Sequence, residues 1–177
     1  MSLSQFKGKF GSGIRPNLYE VTGNFGGAAA AMTDGEEFLI KAAAVPAASL
    51  GTITIPVRGR EIKRAGDRTF GDWQISVLCD QNMDIHRKFM DWSAAFIALE
   101  NDNRAGDAVP YGEWTVQPQD NAGTPKDKFT LVGCWPIEVG SLDLGFDTTD
   151  SVAEFSVTIG YEYWTPISGD GSANFNL

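Results

Sequence analysis

Apolar residues alternate with polar or small ones over two stretches near the middle of the chain. Ile53, Ile55 and Val57 alternate with Thr52, Thr54 and Pro56, and Trp73, Ile75, Val77 and Cys79 alternate with Gln74, Ser76 and Leu78. A period of two marks a strand. Leu18, Tyr19 and Val21 suggest an earlier strand, and residues 38–41 begin a second. In the last third Phe129, Leu131, Gly133 and Trp135 share one parity, and Leu142, Leu144 and Phe146 form another run. Phe155, Val157, Ile159, Tyr161 and Tyr163 then alternate with Ser156, Thr158, Gly160 and Glu162 as one long strand. A single convincing helix interrupts them over residues 84–100, where Ile85, Phe89, Trp92, Phe96 and Leu99 recur at steps of four, three, four and three. This spacing gives one apolar face, with His86, Arg87 and Asp91 on the other side. Asn82 or Asp84 is placed to cap its start.

The connections are read from their breakers. Residues 1–15 are glycine-rich and carry Lys7, Lys9 and Arg15, which suits an extended arm ordered by contact with neighbours. Residues 24–34 hold an alanine run too short for a free helix and read as a surface loop. Residues 42–51 lack periodicity, with Pro46 and Gly51 marking a connection. Residues 101–127 are polar and contain Pro110, Pro118 and Pro125, so a surface excursion is expected, with at most a short strand at 114–116. Residues 168–177 read as a mobile tail. A length of 177 residues suits one domain spanning 1–177, with the arm and tail flexible in the monomer. With 42% apolar residues and 20 glycines, the expected fold is mainly β. It is a two-sheet sandwich or barrel, apolar on one face of each strand, with one flanking helix. Trp73, Trp92 and Trp135 are expected in the core, while Trp114 and Trp164 are less constrained.

Charge changes this picture more than composition does. The net charge is −9, but residues 1–70 hold nine Lys/Arg against six Asp/Glu, and residues 71–177 hold five against seventeen. Segregation of this kind suits a subunit that stacks head to tail, setting cations of one copy against acids of the next. Five of the cations, Arg58, Arg60, Lys63, Arg64 and Arg68, fall between the two central strands, in a hairpin too polar for a core. Catalytic chemistry is not indicated. The single histidine, His86, has no second histidine or thiolate pair at ligand spacing, so no metal site is expected. Neither a nucleophile motif nor a phosphate loop occurs, and pairs such as Glu36-Glu37 or Asp147/Asp150 match no calcium loop. No cofactor is expected. Cys79 and Cys134 read as reduced small hydrophobes. There is no apolar run long enough to span a membrane. The start of the chain lacks the apolar stretch of a signal peptide, so assembly in the cytoplasm is the expectation.

The residues Pro46, Gly51, Arg58-Gly59-Arg60, Ala65-Gly66-Asp67-Arg68-Thr69-Phe70 and Trp73 form a pattern that resembles the tail tube protein of contractile-tailed bacteriophages. The segment DLGFDTTDSVAEFSVTIGYEYW resembles the last strands of that family, so the likeness covers roughly residues 14–165. The loops at 24–34 and 101–127 fit no part of it and suggest outer-surface decoration. The resemblance implies that six copies form a ring, with sheets extended between subunits into a continuous inner β-barrel. It also implies that rings stack into a tube inside a sheath, bounded by baseplate and tail terminator proteins, in the tail of a virion.

The reading is therefore a structural protein and not an enzyme. DNA would pass through the tube without specific binding, because an acidic surface repels phosphates. Ring-to-ring contact is expected at residues 42–70, with Arg58, Arg60, Lys63, Arg64 and Arg68 meeting acids of the next ring. Glu138, Asp143, Asp147, Asp150 and Glu154 are the candidate acids, and they either make that contact or line the lumen. Two alternatives stand beside this reading. One is the inner tube of a contractile injection or type VI-like secretion machine. The other is a monomeric β-sandwich binding module.

Overall fold

Alternation, turn chemistry and the helical apolar stripe each appear in the computed structural model. It describes residues 2–11, 13–27, 31–33, 35–97, 110–147, 149 and 151–167. In chain order the elements are α1 (Leu3–Phe10), β1 (Tyr19–Gly23), a 3₁₀ helix (Glu36–Leu39), β2 (Ile40–Ala43), β3 (Ala48–Val57) and β4 (Arg60–Phe70). They continue with β5 (Trp73–Leu78), α2 (Asp84–Phe96), β6 (Gly112–Pro118), β7 (Lys128–Val139), β8 (Glu154–Gly160) and β9 (Tyr163–Ile167).

Two antiparallel sheets share one strand. The first half of β7 pairs with β6 on one side and β9 on the other, and β6 pairs in turn with β1. The second half of β7 pairs with β8, which continues to β5 and β2. The change of partners occurs at Gly133. Its φ of +68° falls where L side chains rarely go. Here β7 carries an extra residue between the partners of Gly112 and Glu113, as in a β-bulge. The bulge also corrects the expected parity. Leu131 and Cys134 are both buried although three residues apart, while Trp135 is only half-buried.

The core lies between the sheets and under α2. Val21, Trp114, Val116 and Leu131 come from one sheet, and Ile40, Trp73, Ile75, Val77, Phe155, Val157 and Ile159 from the other. Trp73 and Trp114 meet across the sandwich with ring centroids 6.0 Å apart. Helix α2 contributes Ile85, Phe89 and Trp92, all buried as their spacing requires, and Phe89 stacks on Trp114 at 5.6 Å. Burial of this kind stabilises by roughly 1.5–3 kcal/mol per large apolar side chain.

Several expectations are corrected. Residues 3–10 form a helix where an extended arm was expected, because Ser2 and Gln5 make a capping box. The 84–100 helix ends at Phe96, and Leu99 lies outside the described residues. The cap of α2 is neither Asn82 nor Asp84. The Asp80 carboxylate accepts the N–H groups of Asn82, Asp84 and Ile85 at 3.1–3.2 Å. Burial raises its pKa, but these N–H groups outweigh that and hold it below the usual carboxylate range. Strand β6 is longer than the 114–116 piece expected, and Trp114 is fully buried. The 24–34 loop is more than decoration, since Phe25 is fully buried within 5.1–5.6 Å of Phe89, Trp92 and Trp114. Leu142, Leu144 and Phe146 lie in a connection and not in a strand. The long strand from Phe155 breaks at Tyr161, and β9 restarts on the far half of β7. The 168–177 tail lies outside the described residues.

Candidate assembly interface

The central hairpin stands apart from the sandwich. Strands β3 and β4 form a separate two-stranded sheet, and almost every residue in them is exposed. Their register sets Val57 against Arg60, Ile55 against Ile62 and Ile53 against Arg64. Facing residues in an antiparallel pair point to the same side, so Ile53, Ile55, Val57 and Ile62 make one apolar face with Arg60 and Arg64 among them. The opposite face carries Thr52 with Ala65, Thr54 with Lys63, and Pro56 with Glu61. Beyond a slip in register next to Leu50, Arg68 faces Leu50.

The tip is a two-residue turn in which both Arg58 and Gly59 have positive φ, +45° and +81°. This is the geometry that follows the twist of a β-ribbon. Glycine adopts it without strain, while an arginine there costs about 1–2 kcal/mol. The strained position thus carries a cation at the most distal point of the ribbon.

The ribbon is held at its root. The Trp73 indole Nε1 donates to the Ala44 carbonyl at 2.7 Å, and the Tyr161 hydroxyl and Trp164 Nε1 both donate to the Ala47 carbonyl at 3.4 Å. Pro46 is buried between these anchors, and the Phe70 ring lies 6.0 Å from that of Tyr161. Burial raises the Tyr161 hydroxyl above its ordinary pKa. The residues that marked this stretch in sequence therefore divide by role, with Pro46 and Trp73 fixing the root and Arg58 and Gly59 shaping the tip.

The structure gathers the five cations on one ribbon, and none forms an ion pair among the described residues. The acids are less uniform. Glu138 is exposed near the end of β7, opposite Thr158. Asp143 and Asp147 lie exposed on the 140–153 connection, and Asp150 lies outside the described residues. Glu154, first residue of β8, is already bonded to Lys41 within the subunit. Asp143 and Glu154 share a groove with Leu144, Phe146 and Val152.

Two parts of this surface escaped the sequence reading. One is the solvent-facing apolar side of the β3–β4 ribbon, where Ile55 and Ile62 keep 44% and 46% of their surface. Alternation signals a strand but not whether its apolar face is covered. The lone Ile62 among cations, placed opposite Ile55 by an Arg58-Gly59 turn, was the available clue. The other is the exposed run of Leu144, Phe146 and Val152. Among the described residues no cluster of His, Cys, Asp and Glu is arranged to hold a metal, and no helix is long and apolar enough to cross a membrane. Cys79 and Cys134 are free thiols, and burial pushes the Cys134 thiol up to about 12.

Comparison with known proteins bears directly on this geometry. Residues 2–166 match the family described as phage tail tube protein. The chain is 33% identical over 156 residues to tail tube protein gp19 of Enterobacteria phage T6, covering 87% of this chain and 92% of that protein. It is 26% identical over 166 residues to the tail tube protein of Serratia phage KSP90, covering 90% and 94%. Among solved structures, a chain from the sheath/tube terminator of the PVC extracellular contractile injection system shares the fold. Its TM-score is 0.65 at 11% identity, over 88% of this chain and 96% of that one. A chain from the anti-feeding prophage baseplate does so with a TM-score of 0.64 at 10% identity, over 86% and 94%. The relatives matched in sequence are structural proteins of phage tails, and the match runs through the sandwich, α2 and the projecting ribbon alike: this chain belongs to the phage tail tube protein family.

Proposed function

We propose that copies of this chain form hexameric rings that stack head to tail into the tube of a contractile phage tail, and that DNA is delivered through the bore. The observation that carries this reading is the ribbon of β3 and β4. Among the described residues it is anchored at its root, apolar on one face, cationic along its length and without an ion partner. Exposed apolar surface of that extent marks an interaction site. A contact between this ribbon and a different surface of the next copy is heterologous, and such a contact propagates into an open column when the rotation does not close.

Arg58, Arg60, Lys63, Arg64 and Arg68 then meet acids of the next ring, drawn from Glu138, Asp143, Asp147, Asp150 and Glu154. The acids not so engaged face the bore. There, negative charge leaves DNA mobile, since binding to nucleic acid depends on neutralising its phosphates. Strands β1, β2 and β9 pair on one side only among the described residues, and these open edges suit sheet extension between neighbours within a ring. The sheath, baseplate and tail terminator are the remaining partners, and assembly takes place in the host cytoplasm before the tube becomes part of the virion. A second reading is a tube that delivers protein from a contractile injection system. It is favoured by the fold shared with chains of the PVC and anti-feeding prophage particles.

Negative-stain electron microscopy of the purified protein over a range of concentrations and salt strengths tests the proposal. Rings or hollow tubes are the expected result. A monomer under every condition, including with baseplate supplied as initiator, would overturn it. Nuclease-protected DNA inside tails caught during ejection supports the phage reading over the injection reading.

A further inference from the structure

Helix α1 is exposed at every residue. Its start is specified locally, since the Ser4 N–H donates to Ser2 Oγ and the Ser2 N–H to Gln5 Oε1. A helix of eight residues is too short to persist alone in water, so its apolar face calls for a cover. That face holds Leu3, Phe6 and Phe10, spaced to fall on one side, with the Phe6 and Phe10 rings stacked at 5.4 Å. Helical geometry puts Lys7 and Lys9 along its two flanks.

A complementary surface lies on the same chain and is equally uncovered. The groove of the 143–154 connection is lined by Leu144, Phe146 and Val152, each largely exposed, together with Asp143 and Glu154, and the exposed Asp147 follows Phe146 in the chain. Lys41 already engages Glu154. Asp143 and Asp147 have no ion pair among the described residues.

We infer that α1 of one copy seats its Leu3-Phe6-Phe10 face in the 143–154 groove of a neighbouring copy, with Lys7 and Lys9 against Asp143 and Asp147. The occupant is a second copy because exposed apolar faces and opposite charges match between two surfaces that one chain carries, the condition for a head-to-tail contact. The eight residues joining α1 to β1 extend to at most roughly 28 Å, enough to carry the helix to an adjacent subunit. The inference rests on the stacked-ring reading and adds to it a contact separate from the ribbon.

The test is a disulfide. In a Cys79→Ser background, Phe6→Cys and Val152→Cys are combined in one chain, assembled and mildly oxidised. Non-reducing electrophoresis should give a ladder of linked multimers. The two single variants should stay unlinked alone and give dimers, and nothing larger, when mixed. Lys7→Glu with Lys9→Glu should lower the ladder yield several-fold at low salt, and adding Asp143→Lys and Asp147→Lys should restore it. A fast-migrating linked monomer would mean that α1 folds onto its own subunit and would overturn the inference. Hollow tubes without a ladder would overturn it and leave the tube reading standing. If the unmodified protein forms neither rings nor tubes even with baseplate supplied as initiator, the tube reading itself falls.

Discussion

The indole Nε1 of Trp73 donates to the carbonyl oxygen of Ala44 at 2.7 Å, so the residue that opens β5 also holds the segment leading into the ribbon. The same ring packs against Trp114 in the core, which ties the projection directly to the sandwich. Trp73→Phe keeps an aromatic ring but removes the donor and part of the packing. It should cost about 1–3 kcal/mol and speed amide exchange in β3 and β4 more than in β8. Equal protection in all three strands would contradict this anchoring role.

Charge reversal on the ribbon separates folding from assembly. Arg60→Glu with Arg64→Glu alters exposed residues that have no ion partner among the described residues, so the thermal midpoint should hold steady while tubes shorten or fail to form. Tubes of normal length from this double variant would remove the ribbon cations from the stacking contact.

The apolar face gives a parallel prediction. Ile55→Ser with Ile62→Ser should leave subunit stability within about 0.5 kcal/mol of the parent and still abolish polymerisation seen by sedimentation. Ile75→Ala, which truncates a buried side chain of β5, should cost about 2–5 kcal/mol and lower the yield of folded subunit. A large stability loss in the double serine variant would place that face in the monomer core.

These contrasts show what sequence patterning carries. The positions of Ile85, Phe89 and Trp92, and of Trp73, Ile75 and Val77, were legible because period and burial coincide there. The β3 alternation was equally legible as a strand, yet its apolar side faces solvent in the subunit, because alternation reports a two-faced strand and not what covers its apolar face. Trp114 was missed because glycine and proline surround a short apolar core of β6 and imitate a loop. Parity in β7 failed at Gly133, where one inserted residue swaps faces. Leu144 and Phe146 imitated a strand by the same alternation, although both lie exposed in a connection. The five cations of the candidate site were visible as a cluster, but their division between two faces and a tip required the register.

Gly133→Ala tests the shared strand. Its positive φ disfavours any L side chain, and a methyl group would meet the Glu162 side chain at 2.8 Å. The substitution should cost about 1–2 kcal/mol, measured by denaturant unfolding, with chemical shift changes in both sheets. A neutral effect would mean that β7 can turn between sheets without the bulge.

Acid should act through Glu36. Burial raises its pKa, but Lys88 Nζ at 2.7 Å and the Thr33 N–H at 2.8 Å outweigh it and hold the carboxyl below its usual 4.5. A depressed pKa contributes stability that is complete above the ordinary value and is lost as pH falls through the lowered one. The unfolding free energy of the parent should therefore exceed that of Glu36→Gln by about 1–3 kcal/mol near neutrality, and the gap should close on acidification. A gap constant down to strongly acidic pH would exclude this ion pair as its source.

A two-stranded ribbon held at its root bends and twists more readily than two packed sheets joined through β7. In a column whose rings are joined by such ribbons and closed by such sheets, stiffness is anisotropic. In the proposed tube each ring would keep its bore under radial load, while the joints between rings would yield to flexure along the axis. A column built this way would behave as a flexible hose with rigid hoops.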